Sequence, residues 1–567
     1  MSAFGRKRVV FLGAMLAFAA LFIVGRLYVV AVVHGDEYAE KSIRQYSPTH
    51  ADLFDRGTIF FTSRTGDKMS AATLTSGYTL AIDPTHVADG EVLYTALNSH
   101  TEIDHSEFTL KVGRSKDPYE EISKRLEKKT ADAIEAEALP GVIIAKDRWR
   151  FYPGGTLGAH ILGFLGFSGD EYAGRYGLER YYEDTLVREG SQSFQNFFAE
   201  LFSGVRAITD RGRGAGDLVL TIEPRVELEL ERELESIFTR WKPSRAGGIV
   251  MNPTTGEVYA MAVSPTFDPN QFQDVKDQSV FVNSAVEHVY EMGSIMKPLT
   301  MAAGIDSGVV SRTTRYEDKG FLIVDGARIS NFDGKARGNV TMQEVLNQSL
   351  NTGAAYIAKK VGKEKFRNYF LDLGFGEETG IDLPNEVQGL VKNLDSPRDI
   401  EFATASFGQG IATTPIAMAR ALSALASGGR LPSPHVVSRI ETELGVPRNI
   451  TYESGRQVFK PETTEEITKM LVEVVDKALL GGTAKLPRYS VAAKTGTAQI
   501  PKEREKGYYD DRVLHSFFGY FPAYKPQFLV FLWSVAPNAA FASETLTKPF
   551  FDITKFLINY YEIPPDR

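Results

Sequence analysis

Three short runs in this chain carry residue types that can do chemistry together. The first is Ser294-Ile295-Met296-Lys297, preceded by Gly293 and followed by a helical stretch from Pro298 to Ile305. Spacing i, i+3 at a helix start puts a hydroxyl and an ammonium on one face, about a turn apart. That suits a serine nucleophile whose proton is taken by a lysine, provided burial or a neighbouring cation lowers the lysine pKa. The helix N-terminus also favours negative charge developing near Ser294. Taken alone, the pattern also reads as a helix cap followed by a surface lysine. The second run is Ser349-Leu350-Asn351. Upstream, Thr341-Met342-Gln343-Glu344 forms a capping box that opens one helix, and a second helix runs from about Gly353 to Val361. The triplet therefore sits in a tight interhelical turn, able to present a hydroxyl for proton relay and an amide for a substrate amide. Ser and Asn also populate turns for purely local reasons. The third run, Lys494-Thr495-Gly496-Thr497, lies in a strand-like segment from Ser490 to Gln499. Glycine inside a strand marks a close approach by another backbone. A cation before it and a hydroxyl after it suit a peptide laid along the strand edge with its terminal carboxylate held. The plain alternative is an edge strand blunted by Lys and Gly.

The elements around these runs read as an α+β domain. Leu218 to Ile222 is a short strand, and Val226, Leu230, Leu234, Ile237 and Trp241 recur at helical spacing. Gly247 to Met251, the turn Asn252-Pro253-Thr254-Thr255-Gly256 and Glu257 to Ser264 read as a hairpin. Helical segments occupy Ser294 to Ser427. Strands are expected at Val491–Gln499, His515–Phe521 and Phe528–Ala536, and a closing helix at Phe550–Tyr561. Strands, then helices, then strands predict an antiparallel sheet built from both ends of the domain. Before Gly216 the signals are mixed. Tyr78 to Ile82 reads as a strand, Glu120 to Ala138 as a charged helix and Val142 to Ala145 as a buried strand, with Gly-rich turns from Gly154 to Gly177. Arg211-Gly212-Arg213-Gly214-Ala215-Gly216 reads as a linker and lacks the Lys-Ser/Thr ending of a phosphate loop.

Composition narrows the chemistry. The 567 residues contain 64 Lys and Arg against 72 Asp and Glu, a net charge of −8, which argues against nucleic acid as the main partner. Cysteine is absent, which excludes disulfide scaffolds, Cys-ligated metals and thiol nucleophiles. No His-Glu-x-x-His pattern occurs, and neither a metal nor a cofactor is expected. Arg6-Lys7-Arg8 precede a stretch from Val9 to Val33 whose one charge, Arg26, can snorkel to the headgroups. The stretch is long enough to span a bilayer and has no Ala-x-Ala site after it, so it is expected to be a retained anchor. The leading cations place the N-terminus in the cytoplasm.

The three runs, in this order and on these elements, are grouped in penicillin-recognising serine enzymes. The chain resembles a class B penicillin-binding protein, a membrane-anchored peptidoglycan transpeptidase of bacterial cell division and elongation. The likeness covers nearly the whole length. It rests on Tyr290 to Pro298 around the nucleophile and on Ala405-Ser406-Phe407-Gly408-Gln409-Gly410-Ile411-Ala412-Thr413-Thr414-Pro415. It also rests on three pedestal runs, Arg56-Gly57-Thr58-Ile59, Arg150-Phe151-Tyr152-Pro153-Gly154 and Tyr176-Gly177-Leu178-Glu179. There are departures. Leu350 stands where the family mostly carries Ser or Asp, Ile295-Met296 replaces Thr-Phe or Thr-Val, and Arg64-Thr65-Gly66 comes two residues late.

The resemblance implies a cytoplasmic tail at 1–8, a transmembrane helix at 9–33, a pedestal domain at 34–216 and a transpeptidase domain at 217–567. It implies that Ser294 attacks the carbonyl between two D-alanines of a stem peptide and that β-lactams acylate the same residue. Lys297 is the expected base, Ser349 relays a proton and Asn351 orients the substrate amide. Lys494, Thr495 and Thr497 bind the terminal carboxylate, Gly496 is a further substrate-binding position, and the backbone N–H groups of Ser294 and Thr497 form the oxyanion hole. The expected location is the bacterial inner membrane, single-pass, with the catalytic domain periplasmic. A SEDS-type glycosyltransferase and other division or elongation proteins are the expected partners. A D,D-carboxypeptidase, a β-lactam sensor and a non-catalytic scaffold are the alternatives.

Overall fold

The computed structural model of the chain describes residues 55–114, 116–168, 171–188, 215–442, 447–453, 455–502 and 505–567. The expected membrane span at 9–33 and most of the expected linker lie outside these residues. Among the described residues no helix is long and apolar enough to cross a membrane. The chain forms two compact units, one of residues 78–147 and one of residues 55–77 with 148–567.

In the smaller unit, the strand expected at Tyr78–Ile82 is the end of a longer strand, Lys68–Ile82. Asp83 stops it and accepts the Thr85 N–H as the chain turns. The helix expected over Glu120–Ala138 is a strand, Glu120–Leu126, followed by a shorter helix, Lys128–Ala136. Charge-rich composition favours helix locally, but Tyr78–Ile82 pairs antiparallel with Glu120–Leu126. That pairing puts Leu126 with Leu80, Ile82, Leu93, Leu97, Phe108 and Ile134 in a common core. Burial of that face outweighs helix propensities worth a few tenths of a kcal/mol per residue.

In the larger unit, the three expected pedestal runs converge on one buried carboxylate. Glu179 is fully buried and accepts Arg56 Nε at 2.7 Å and Arg150 Nε at 2.6 Å. Arg56 also forks onto Glu183 at 2.9 and 2.8 Å, and Arg150 donates to the Gly57 carbonyl at 2.7 Å. Beside it, strand Gly216–Leu220 runs parallel to Ile59–Thr62 and antiparallel to Val437–Thr442.

The site is carried by an antiparallel five-stranded sheet. Its elements, in chain order, are α1 (Pro224–Trp241), β1 (Arg245–Met251), β2 (Val258–Ser264), α2 (Lys297–Asp306), α3 (Met342–Asn347), α4 (Asn351–Val361), α5 (Pro415–Ala426), α6 (Pro461–Glu473), β3 (Ala492–Pro501), β4 (Tyr508–Phe521), β5 (Phe528–Val535) and α7 (Thr547–Tyr560). The strand order is β3-β4-β5-β1-β2. The sheet therefore does use both ends of the domain, and β3, with its Lys-Thr-Gly, is an edge. The inner strands are apolar on both faces because both are covered. Phe517, Val530 and Leu532 face α1 and α7 through Leu230, Ile237, Phe550 and Leu557. Phe518, Phe531 and Trp533 belong to the core that also holds Met296, Leu299, Met418 and Leu422. The stretch expected to be helical also contains short strands, Arg315–Asp318, Phe321–Val324, Ala327–Ser330 and Gly338–Thr341. They are local hairpin-like pairs, stabilised by a buried polar network described below.

Candidate active site

Ser294 sits in a single 3₁₀ turn, Gly293–Met296, that runs directly into α2. The entry is built by Gly293, whose φ of +65° is a left-handed conformation that side chains disfavour. A Cβ there would lie 2.8 Å from the Thr497 carbonyl oxygen, so glycine lets the nucleophile turn press against β3. Gly496 serves the same approach from the strand side. A Cβ on it would collide with Ser516 Oγ and stand 2.9 Å from the Met292 carbonyl. Ser516, directly opposite Gly496 on β4, donates to that carbonyl at 2.9 Å.

The second run lies between α3 and α4, as its flanking signals require. Thr341 caps α3 by accepting the Glu344 N–H, but Glu344 turns its carboxylate forward, to Asn347 and Gln348. Ser349 has a positive φ of 55°, which turns its hydroxyl toward α2. Leu350 is fully buried, so its departure from a polar residue is a matter of core packing. Asn351 begins α4 and donates its amide N–H to the Ser330 carbonyl at 2.9 Å.

The three runs meet in one hydrogen-bonded chain. Lys297 Nζ lies 3.0 Å from Ser294 Oγ and 3.1 Å from Ser349 Oγ. Lys494 Nζ reaches Ser349 Oγ from the other side at 3.1 Å and donates to the Thr495 carbonyl at 3.0 Å. Both lysines are buried, at 1 % and 3 % exposure. Burial, reinforced by the Lys494 charge, holds Lys297 well below the ordinary lysine pKa. Burial brings Lys494 down to about 8. Thr495 and Thr497 are half-buried along the edge strand, and Thr497 Oγ1 accepts the Ala542 N–H at 3.2 Å. The eight residues expected at the site thus lie on the nucleophile turn and the first residue of α2, on the α3–α4 loop and the first residue of α4, and on β3.

Some supporting residues were not foreseen. Asp318 is fully buried and accepts Thr352 Oγ1 at 2.8 Å, Asn331 Nδ2 at 3.0 Å and the backbone N–H groups of Gly320 and Arg337 at 3.0 and 3.1 Å. Thr352 follows Asn351, and Ser330, which holds the Asn351 amide, precedes Asn331. Asp318 therefore ties together the chain neighbours of both ends of that hydrogen bond, Thr352 beside Asn351 and Asn331 beside Ser330. His515, opposite Thr497 on β4, is buried, shares Nδ1 with Thr545 Oγ1 at 2.8 Å and is pushed down to about 4, so it stays neutral. Cross-strand register would have shown Ser516 and His515; Asp318 lies in a segment whose strands are too short to read.

A Lys-Thr-Gly edge strand over a Ser-x-x-Lys helix start, with Ser-x-Asn between two helices, defines the class of penicillin-recognising serine acyltransferases. Comparison with known proteins agrees. The penicillin binding protein transpeptidase domain matches residues 246–554, and the penicillin-binding protein dimerisation domain matches residues 55–197. Stage V sporulation protein D of Bacillus subtilis is 32% identical over 542 residues, covering 93% of this chain and 81% of that protein. Peptidoglycan D,D-transpeptidase MrdA of Acinetobacter baumannii is 26% identical over 604 residues, covering 96% and 87%. The crystal structure of penicillin binding protein 3 from Mycobacterium tuberculosis complexed with aztreonam shares the fold, with a TM-score of 0.69 over 91% of this chain and 98% of that one, at 22% identity. The chain belongs to the class B penicillin-binding proteins.

Proposed function

We propose that this protein is a peptidoglycan D,D-transpeptidase that cross-links stem peptides through an acyl-enzyme on Ser294. The observation that carries this reading is the buried chain Ser294–Lys297–Ser349–Lys494, with each step at 3.0 to 3.1 Å. Lys297, shifted toward the neutral form by burial, takes the Ser294 proton as Oγ bonds to the carbonyl carbon between two D-alanines. The C–N bond breaks, the proton on Lys297 passes through Ser349 to the leaving amine, and D-alanine departs with Lys297 neutral again. An amine of a second stem peptide then attacks the ester, gives its proton back through Lys297, and frees Ser294. The donor peptide lies along the free edge of β3. Its terminal carboxylate meets Lys494, Thr495 and Thr497, its scissile carbonyl the N–H groups of Ser294 and Thr497, and its amide Asn351. β-Lactams enter the same groove and acylate Ser294; a structural neighbour, penicillin binding protein 3 of Mycobacterium tuberculosis, forms a complex with aztreonam.

The stretch 9–33 serves as the anchor that holds the protein in the inner membrane of a bacterial envelope, with its catalytic unit outside the cytoplasm. Its length and its leading cations support this. The boundaries 34–216 and 217–567 serve as pedestal and transpeptidase domains, with a SEDS-type glycosyltransferase and division or elongation proteins as partners. The decisive assay supplies a peptide ending in D-Ala-D-Ala with an excess of a second peptide bearing a free amine, and resolves products by mass spectrometry. A cross-linked product with release of D-alanine is expected. Hydrolysed donor alone would make the protein a carboxypeptidase, and no D-alanine release would make it a scaffold or sensor.

A further inference from the structure

One run that carries the family likeness, 405–415, has no part in the mechanism above, yet it touches the chain on both sides of the nucleophile. Tyr290 and Thr413 exchange backbone hydrogen bonds of 2.9 and 3.0 Å, and the Gly293 N–H donates to the Gly408 carbonyl at 3.1 Å. Past Ser294, the buried Thr300 of α2 donates its hydroxyl to the Ser406 carbonyl at 2.7 Å. The run is itself held from behind. It leaves the helix Asp399–Ala405 through a turn in which the Gly408 and Gln409 N–H groups donate to the Ala405 and Thr404 carbonyls at 3.0 and 3.1 Å. Ala412 and Leu390 exchange backbone hydrogen bonds of 3.0 and 2.7 Å, and Thr414 caps α5 by accepting the Ala417 N–H. The run is therefore a strap fixed at both ends by helices, its middle laid against the turn Gly293–Met296.

The closest approach is at Gly408. A Cβ there would stand 2.3 Å from the Gly293 carbonyl oxygen, 2.6 Å from its nitrogen and 2.9 Å from its carbonyl carbon. The bare Cα of Gly408 thus lies against Gly293 on one side, and the Thr497 carbonyl of β3 lies against it on the other. The Gly293 carbonyl and the Ser294 N–H belong to one planar peptide unit, so a contact that fixes the carbonyl also fixes the direction of the N–H. That N–H is one of the two oxyanion donors, and the other belongs to Thr497, on the strand toward which the strap presses the turn. Such donors stabilise the developing charge only when both aim at one point. We infer that the 405–415 strap positions the oxyanion hole: Gly408 supports the Gly293–Ser294 peptide, and Thr300 ties the strap to α2, so that the two N–H groups converge. Gly408 and Thr300 are positioning residues, since they act through that peptide. The inference rests on the acyl-enzyme reading of Ser294.

The test uses the full chain and two esters, N-acetyl-D-alanyl glycolate and its thiono analogue, in which sulfur replaces the oxygen of the scissile carbonyl. Attack by Ser294 releases glycolate from both. Sulfur is larger and a weaker hydrogen-bond acceptor, so a well-formed oxyanion hole favours the oxygen ester. The readout is the oxygen-to-sulfur ratio of acylation rate constants, each taken relative to reaction with hydroxide, beside the dissociation constant of the complex that precedes acylation. The wild type is expected to favour the oxygen ester about a hundredfold, the order of one oxyanion donor. Gly408→Ala is expected to slow the oxygen ester about a hundredfold, to bring the ratio within about tenfold of unity and to leave the dissociation constant within about threefold. Thr300→Val should lower the ratio part of the way. A merely structural role would slow both esters alike and leave the ratio intact. A wild-type ratio near unity overturns the inference, as does a ratio that survives in Gly408→Ala. If that variant does not fold, Thr300→Val decides, and a wild-type ratio there overturns the inference. Glycolate release from neither ester by wild type contradicts the acyl-enzyme reading and the inference with it, whereas an unchanged ratio in the variants overturns the inference alone.

Discussion

At the residue scale, the two buried lysines divide the work through their charge states. Lys297 must be neutral to take a proton, and burial and the Lys494 cation both shift it toward that state. Lys494 must be charged to hold a carboxylate, and its pKa stands at about 8. Acylation is therefore expected to rise with pH along a limb set by Lys297, with its midpoint well below the ordinary lysine value. It should fall again near pH 8 as Lys494 loses its proton. Second-order acylation rates of a penicillin across pH give the profile, and a flat one would contradict the assignment. Lys494→Arg, whose guanidinium keeps its charge, should move the alkaline limb upward. Lys297→Ala should remove acylation while leaving the fold intact, and near-normal rates would exclude it as the base. The identity of these residues was readable from short motifs, because the chemistry demands those side chains at fixed spacing. Their pKa values were not, because burial and the contact between positions 145 residues apart are products of the fold.

At the element scale, the approach of the Gly293–Met296 turn to β3 is what brings nucleophile and edge strand together. Gly496→Ala should add about 2 kcal/mol of overpacking against Ser516 and Met292 and push the strand off the turn. Penicillin acylation should fall by two orders of magnitude or more, with a much smaller loss in unfolding free energy. Equal acylation in this variant would mean that the close approach is dispensable. The hairpin at Arg245–Ser264 and the late strands could be read from alternating and continuous apolar runs, since burial on one or both faces writes that pattern. Glu120–Leu126 misled because its charges spell a helix, whereas a pairing with Tyr78–Ile82 decides the outcome. The short strands between 315 and 341 left no period long enough to detect. They are set instead by Asp318, whose carboxylate takes four donors, a hydroxyl, a side-chain amide and two backbone N–H groups. Asp318→Ala would strand those donors and is expected to cost about 3 kcal/mol and to loosen Asn351. Chemical denaturation and acylation kinetics measure the two effects separately.

At the scale of the whole molecule, three runs far apart in sequence are joined by one buried carboxylate, Glu179, between Arg56 and Arg150. Family resemblance singled out those runs, but nothing local in them predicted that they share a salt-bridge centre. Glu179→Ala leaves two buried guanidinium groups without their acceptor and is expected to cost about 3–5 kcal/mol. A lowered unfolding midpoint in denaturant checks this, and an unchanged midpoint would show that water or Glu183 replaces the lost acceptor. Throughout the molecule, the fold serves to carry a serine and a lysine, a turn and an edge strand to within about 3 Å of one another. The claim that this meeting point is an acyl-transfer centre is tested most directly with a fluorescent penicillin on the full chain, followed by peptide mass spectrometry. A covalent adduct on Ser294 is expected in the wild type and none in Ser294→Ala. An unlabelled wild type beside a control protein that labels, or an adduct that persists in Ser294→Ala, would contradict it.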